Sequence, residues 1–146
     1  MLSVLTYMEE SMPLINWSDD LSVGIMEIDN QHKKLIDIIN RLNDAMKTGQ
    51  GAQAVGGILQ ELVAYTREHF SNEEKYFEKF GYEKREEHVE RHEEFVERIE
   101  LFRNNFAAKK LGLSTELFMF LRDWLVKHIK VEDQKYKSCF LEHGVK

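Results

Sequence analysis

Five of the six histidines fall in four separate stretches of the chain: His32, His69, the pair His88 and His92, and His128. Glu73 follows His69 by four residues, His92 follows His88 by four, and Asp133 follows His128 by five. On an α-helix a separation of four puts two side chains on one face, one turn apart. Each stretch is also apolar at three-and-four spacing, so the face that carries the histidine is the face a helix would bury. A buried ionisable group needs a partner. One metal ion partners several neutral imidazoles at once, and carboxylates balance its charge. Taken singly, His32 reads as a hydrogen-bonded core histidine and Glu73 as a solvated residue among Glu74 and Glu78. Five stripe-facing histidines on four helices, aimed at one point, predict a metal site.

The offset from His128 to Asp133 does not suit a regular helix. Five residues turn the chain about 140° past a full turn at 3.6 residues per turn, and Glu132 at the fourth position is geometrically better placed. For Asp133 to reach the site the helix must distort between Ile129 and Asp133, as a π-bulge would do.

Other metal motifs fit poorly. His88-Val-Glu-Arg-His92 lacks the Glu directly after the first His that zinc proteases use. A single cysteine, Cys139, excludes a thiolate zinc site and an intrachain disulfide, and fits a reducing compartment. It reads as a small packed residue. No Glu precedes a His by three, as carboxylate-rich di-iron sites require; Asp29 before His32 is the nearest match.

Four helices must position these groups. Apolar periodicity predicts them over about 27–47, 52–80, 84–110 and from 114 onward. The third stripe is His88, His92, Phe95, Val96, Ile99, Phe102 and Phe106. The Gly56-Gly57 pair weakens the start of the second. Glycines near 49, 81 and 112 mark short breaks, which force an up-down-up-down antiparallel four-helix bundle, an all-α fold. Residues 1–26 read as an N-terminal arm and 27–146 as the bundle. Met12 is an alternative start to Met1.

The bulk properties agree. The 146 residues suit one domain, and 42% hydrophobic content suffices for a core. A net charge of −6 argues against nucleic acid. No apolar run approaches the roughly 20 residues of a membrane span. The N-terminus lacks the basic start of a signal peptide, so a cytoplasmic protein is expected. The acidic surface and the lack of an obvious exposed apolar stripe point to a monomer. His143, beside Gly144 in the tail, reads as solvated rather than as a ligand.

Four segments together resemble hemerythrin, in its single-domain bacterial form: Val23-Gly-Ile-Met-Glu-Ile-Asp-Asn-Gln-His-Lys33, His69-Phe-Ser-Asn-Glu-Glu74, the His88/His92 spacing before Phe95, and Trp124-Leu-Val-Lys-His-Ile129 with Asp133. The similarity runs from about Ile15 to Gly144. The one departure in a loop is Glu83, where the family has Pro. The resemblance implies seven ligands: His32, His69, Glu73, His88, His92, His128 and Asp133. They would hold two non-haem iron ions joined by a bridging oxo or hydroxo group. His88, His92 and His128 would fill one iron, His32 and His69 would serve the other, and Glu73 and Asp133 would bridge. That leaves one position open for dioxygen.

The function implied is reversible dioxygen binding for storage or delivery, with no catalysis. Neutral imidazoles stabilise high-valent iron less than carboxylates do, and one open position leaves little room for a co-substrate. Phe70, Trp124, Leu125 and Ile129 are candidates for an apolar lining that excludes water. An oxygen or redox sensor acting through a partner, and a di-iron peroxidase or nitric-oxide-handling enzyme, are the alternatives.

Overall fold

The protein is described here by a computed structural model, covering residues 15–145. The expected helices form with small shifts at their ends: α1 Met26–Lys47, α2 Gly51–Phe80, α3 Arg85–Ala107 and α4 Leu113–Lys127. A five-residue π-helical turn, His128–Glu132, then leads into α5, Asp133–Glu142. Sequential helices lie side by side and α4 closes against α1, giving the four-helix bundle. Among the described residues there is no strand.

The breaks fall where the glycines do. α2 ends at Gly81, which adopts a left-handed conformation (φ 61°) while Tyr82 N–H returns to the Phe77 carbonyl at 2.9 Å. Only glycine takes that conformation without a Cβ penalty. The pair Gly56-Gly57, expected to weaken the start of α2, lies within the continuous helix. A Cβ on Gly56 would lie 2.7 Å from the Phe106 ring, so α3 lays its aromatic end directly on the α2 backbone. Tertiary contact overrides the weak local propensity here. Phe106 and Val96 were expected in the core stripe of α3, but both are exposed, at 42% and 49%. Phe106 covers Gly56, and Val96 lines the rim of a groove between α2 and α3.

The described part of the expected N-terminal arm packs against the bundle. Asn40 of α1 makes two hydrogen bonds to the Ile15 backbone, at 3.0 and 2.8 Å. The Asp29 carboxylate accepts from Val23 N–H at 2.9 Å and from Ser22 Oγ–H at 2.5 Å. Leu21, Val23 and Ile25 are buried. The boundary between arm and bundle therefore does not separate core from periphery. The alternative start at Met12 lies outside the described residues.

The buried apolar residues form two separate clusters. The larger contains Leu35, Ile39, Leu62, Phe70, Phe95, Leu117, Leu125 and Ile129 among others. The smaller is Val23, Ile25, Ile28, Phe77, Tyr82, Tyr136 and Phe140. Most of the sequence-predicted ligands fall where one cluster gives way to the other: His32 between Ile28 and Leu35, Glu73 between Phe70 and Phe77, His88 and His92 between Tyr82 and Phe95, and Asp133 between Ile129 and Tyr136, while His69 and His128 project from the edge of the larger cluster. No helix among the described residues is long and apolar enough to cross a membrane.

Candidate metal centre

All seven candidates meet at this boundary, and all seven are buried. They form two groups whose ligand atoms lie within 4.8 Å of one another: Glu73, His88, His92 and His128 in one, and His32, His69, Glu73 and Asp133 in the other. Asp133 also reaches the first group. Its Oδ1 is 3.0 Å from both His88 Nε2 and His128 Nε2, while its Oδ2 is 2.9 Å from His32 Nε2. Glu73 Oε1 is 3.1 Å from His69 Nε2 and 3.4 Å from His92 Nε2. His32 Nε2 and His69 Nε2 are 3.1 Å apart.

The π-helical turn puts Asp133 there. Its backbone N–H bonds the His128 carbonyl, five residues back, so residues five apart share a face. Gln134 Nε2 donates to the Ile129 carbonyl at 3.3 Å and to the Ser22 carbonyl at 3.2 Å, serving backbone acceptors beside the turn. Glu132, the better candidate on a regular helix, is turned outward to Lys135 at 3.2 Å.

Apart from the His32–His69 pair, these atoms are close without being aligned for hydrogen bonds to one another. Both oxygens of Glu73, both oxygens of Asp133, and Nε2 of His88, His92 and His128 are buried without an aligned hydrogen-bond partner. Buried polar atoms left this way are costly and rare. Two ligands about 2.1 Å from one ion, at right angles, are themselves about 3.0 Å apart. The observed separations of 2.9 to 3.4 Å therefore suit groups converging on shared third atoms. The donor set fits metal.

The charge states of the metal-free groups follow from this crowding. Burial resists ionisation of Glu73 and Asp133, but the histidines around them win, and both carboxyls are held well below their usual range. Burial likewise resists charging His92, yet its contacts with Glu73 and Glu74 push it up to about 9. His128 goes the other way: burial, reinforced by His88 and His92, lowers it despite Asp133.

Aromatic rings fix the imidazoles from outside. Phe70 lies flat on His92, and Trp124 stacks on His128 at 4.4 Å between centroids and 11° from parallel. Leu125 and Ile129 are buried in the larger cluster. Phe77 and Tyr136 flank His88, at 4.8 and 5.6 Å. Tyr136 is wholly buried, and burial, with the charges of Asp133 and Glu73, raises its hydroxyl well above its ordinary value.

Two polar residues at the centre escape sequence reasoning. His69 Nδ1–H donates to Gln31 Oε1 at 2.6 Å, and His92 Nδ1–H donates to Glu74 Oε2 at 3.0 Å. Each sits beside a candidate ligand on one helix and reaches the histidine of the next. His143 stays apart, stacked on Phe80 at 4.4 Å, and Cys139 is a free, half-buried thiol against the smaller cluster.

A family model, the hemerythrin HHE cation binding domain, matches residues 23–140. The chain belongs to the hemerythrin family. Among its hemerythrin relatives is the bacteriohemerythrin of Stenotrophomonas maltophilia (strain R551-3), 41% identical over 132 residues, which covers 90% of this chain and 85% of that protein. The bacteriohemerythrin of Methylococcus capsulatus is 31% identical and covers 88% and 98% respectively. The crystal structure of wild-type hemerythrin superposes with a TM-score of 0.79 at 30% identity, over 87% of this chain and 98% of that one. Hemerythrin membership, the four-helix bundle and the cation-binding cluster thus agree.

Proposed function

We propose that this hemerythrin-family chain binds dioxygen reversibly at a non-haem di-iron centre and serves to store or deliver it, without catalysing a reaction. The observation that carries the reading is the donor set: five buried imidazoles and only two carboxylates, converging as two overlapping groups. His88, His92 and His128 would hold one iron, His32 and His69 would hold the other, and Glu73 and Asp133 would be shared between them. Asp133 supports this division, since its two oxygens face different histidines.

A di-iron centre, when bound, supplies the electrons and the open coordination position that reversible dioxygen binding requires. The chain does the rest. His32 and His69 leave their side of the centre with two imidazoles against three on the other. Phe70, Trp124 and Ile129 exclude water around it, which slows irreversible oxidation.

The deciding measurement is an optical spectrum through one oxygen cycle, with iron counted per chain. Two irons and a visible band that appears with dioxygen and vanishes on its removal are expected. Immediate irreversible oxidation, or consumption of a co-substrate, would overturn the carrier reading in favour of a sensor or an enzyme.

A further inference from the structure

Each of the two ligand groups contains one histidine whose outer nitrogen is held by a side chain of the preceding helix, and the two holders differ in charge. Gln31, on α1 beside His32, accepts from His69 Nδ1–H at 2.6 Å. Glu74, on α2 beside Glu73, accepts from His92 Nδ1–H at 3.0 Å. By contrast, Nδ1 of His32 and of His88 is buried with no hydrogen-bond partner.

We propose that Gln31 and Glu74 are positioning residues for the metal centre: each fixes the tautomer and ring angle of a ligand on the next helix, and the charge of Glu74 makes the three-histidine side the stronger donor. The proposal rests on the metal-binding reading above. An imidazole that donates from Nδ1 keeps its Nε2 lone pair free, and here that lone pair faces the cluster. A carboxylate acceptor draws the Nδ1 proton more strongly than an amide does, and leaves more negative charge on the ring. His92 therefore binds its ion more strongly than His69 binds the other. The rings differ in support as well. Phe70 stacks on His92 at 3.8 Å but lies 47° from the plane of His69, so Gln31 carries more of the burden of orienting its histidine.

The consequence is an ordered centre. The two-histidine side gives up its iron first, and the three-histidine side favours the more highly charged ion.

The test is release of iron from the loaded protein to an excess of chelator, followed optically, with the midpoint potential measured alongside. Wild type should release in two phases. Gln31→Ala should accelerate the fast phase about tenfold or more, and Glu74→Ala the slow phase about 10- to 100-fold, the usual cost of losing such a partner. Glu74→Gln keeps an acceptor and removes the charge. It should bring the slow phase only part of the way back, to a rate between those of Glu74→Ala and wild type, while the midpoint potential rises, a split that a merely structural role would not produce. Gln31→Glu should slow the fast phase. Wild-type release rates in both alanine variants would overturn the proposal, as would a Glu74→Gln potential equal to wild type. If either alanine variant fails to fold, the two isosteric variants decide alone. A wild type that holds two irons but takes up no oxygen reversibly would sink the carrier reading, and the release phases would still judge this one.

Discussion

Phe70 lies on the face of His92 with ring centroids 3.8 Å apart and planes 8° from parallel. Phe70 belongs to the larger apolar cluster, contacts Phe95 and Trp124, and lines the groove between α2 and α3. One ring therefore both packs against a candidate ligand and forms part of the groove wall beside the metal centre. Phe70→Ala should destabilise the fold by about 3–5 kcal/mol, as truncation of a buried aromatic does. It should also shorten the life of the oxygen-bound band several-fold by admitting water. A thermal melt and the decay of that band check the two effects separately, and Phe70→Leu should recover most of the first but less of the second.

The proposed sharing of Glu73 and Asp133 between two irons sets apart two classes of variant. His32→Ala or His69→Ala removes a terminal ligand from one side only, and should leave about one tightly held iron per chain while abolishing oxygen binding. Asp133→Ala or Glu73→Ala strips both sides, and should take the iron content well below one. Metal analysis of purified variants distinguishes these outcomes, and unchanged oxygen binding in either histidine variant would contradict the assignment.

The π-helical turn makes an unusual deletion tolerable. Residues five apart share a face across the turn, and on a regular helix residues four apart do so. Removing Val131, whose side chain is 44% exposed, would put Asp133 four residues after His128 on an ordinary helix, with α5 kept in register. The deleted chain should fold and retain iron. Deletion of one residue within α4, such as Val126, should instead rotate His128 away and abolish binding. Iron content and helical circular dichroism of both chains settle the comparison.

The metal-free protein should lose stability in alkali. The His92 side chain is raised from its ordinary 6.5 to about 9, so its contribution is full below about pH 6.5 and is lost as the pH rises through about 9. The lowered carboxyls of Glu73 and Asp133 stabilise above their ordinary range, and that contribution fades only in acid. Iron held as proposed would take His92 in its neutral form, so loading should remove the alkaline loss. Melting temperatures at pH 6.5 and 9.5, with and without metal, measure it.

Much of the centre was legible because ligands sharing a buried face repeat at helical spacing. The five histidines and Glu73 stood out on that ground, and the five-residue offset to Asp133 itself demanded the distortion found at 128–132. The bundle followed from the glycine-marked breaks near 49, 81 and 112. Gln31 and Glu74 were illegible for a physical reason. Each acts on a histidine of a different helix, so no spacing within its own helix betrays it, and each is adjacent to a ligand and therefore off its stripe. The exposure of Val96 and Phe106 was equally hidden, since it depends on where α3 sits against α2 and on the bare backbone at Gly56.

The division of the interior into two apolar clusters, with seven buried ionisable groups at their junction, would, if iron binds as proposed, tie the lifetime of the chain to its cargo. A join made of charges is only as firm as their matching, and regions with little apolar contact open first. A chain short of iron would part along this belt before either cluster melted, and an opened chain is what proteases cut. The cellular abundance of the protein would then follow the iron supply through turnover alone, with no change in its synthesis.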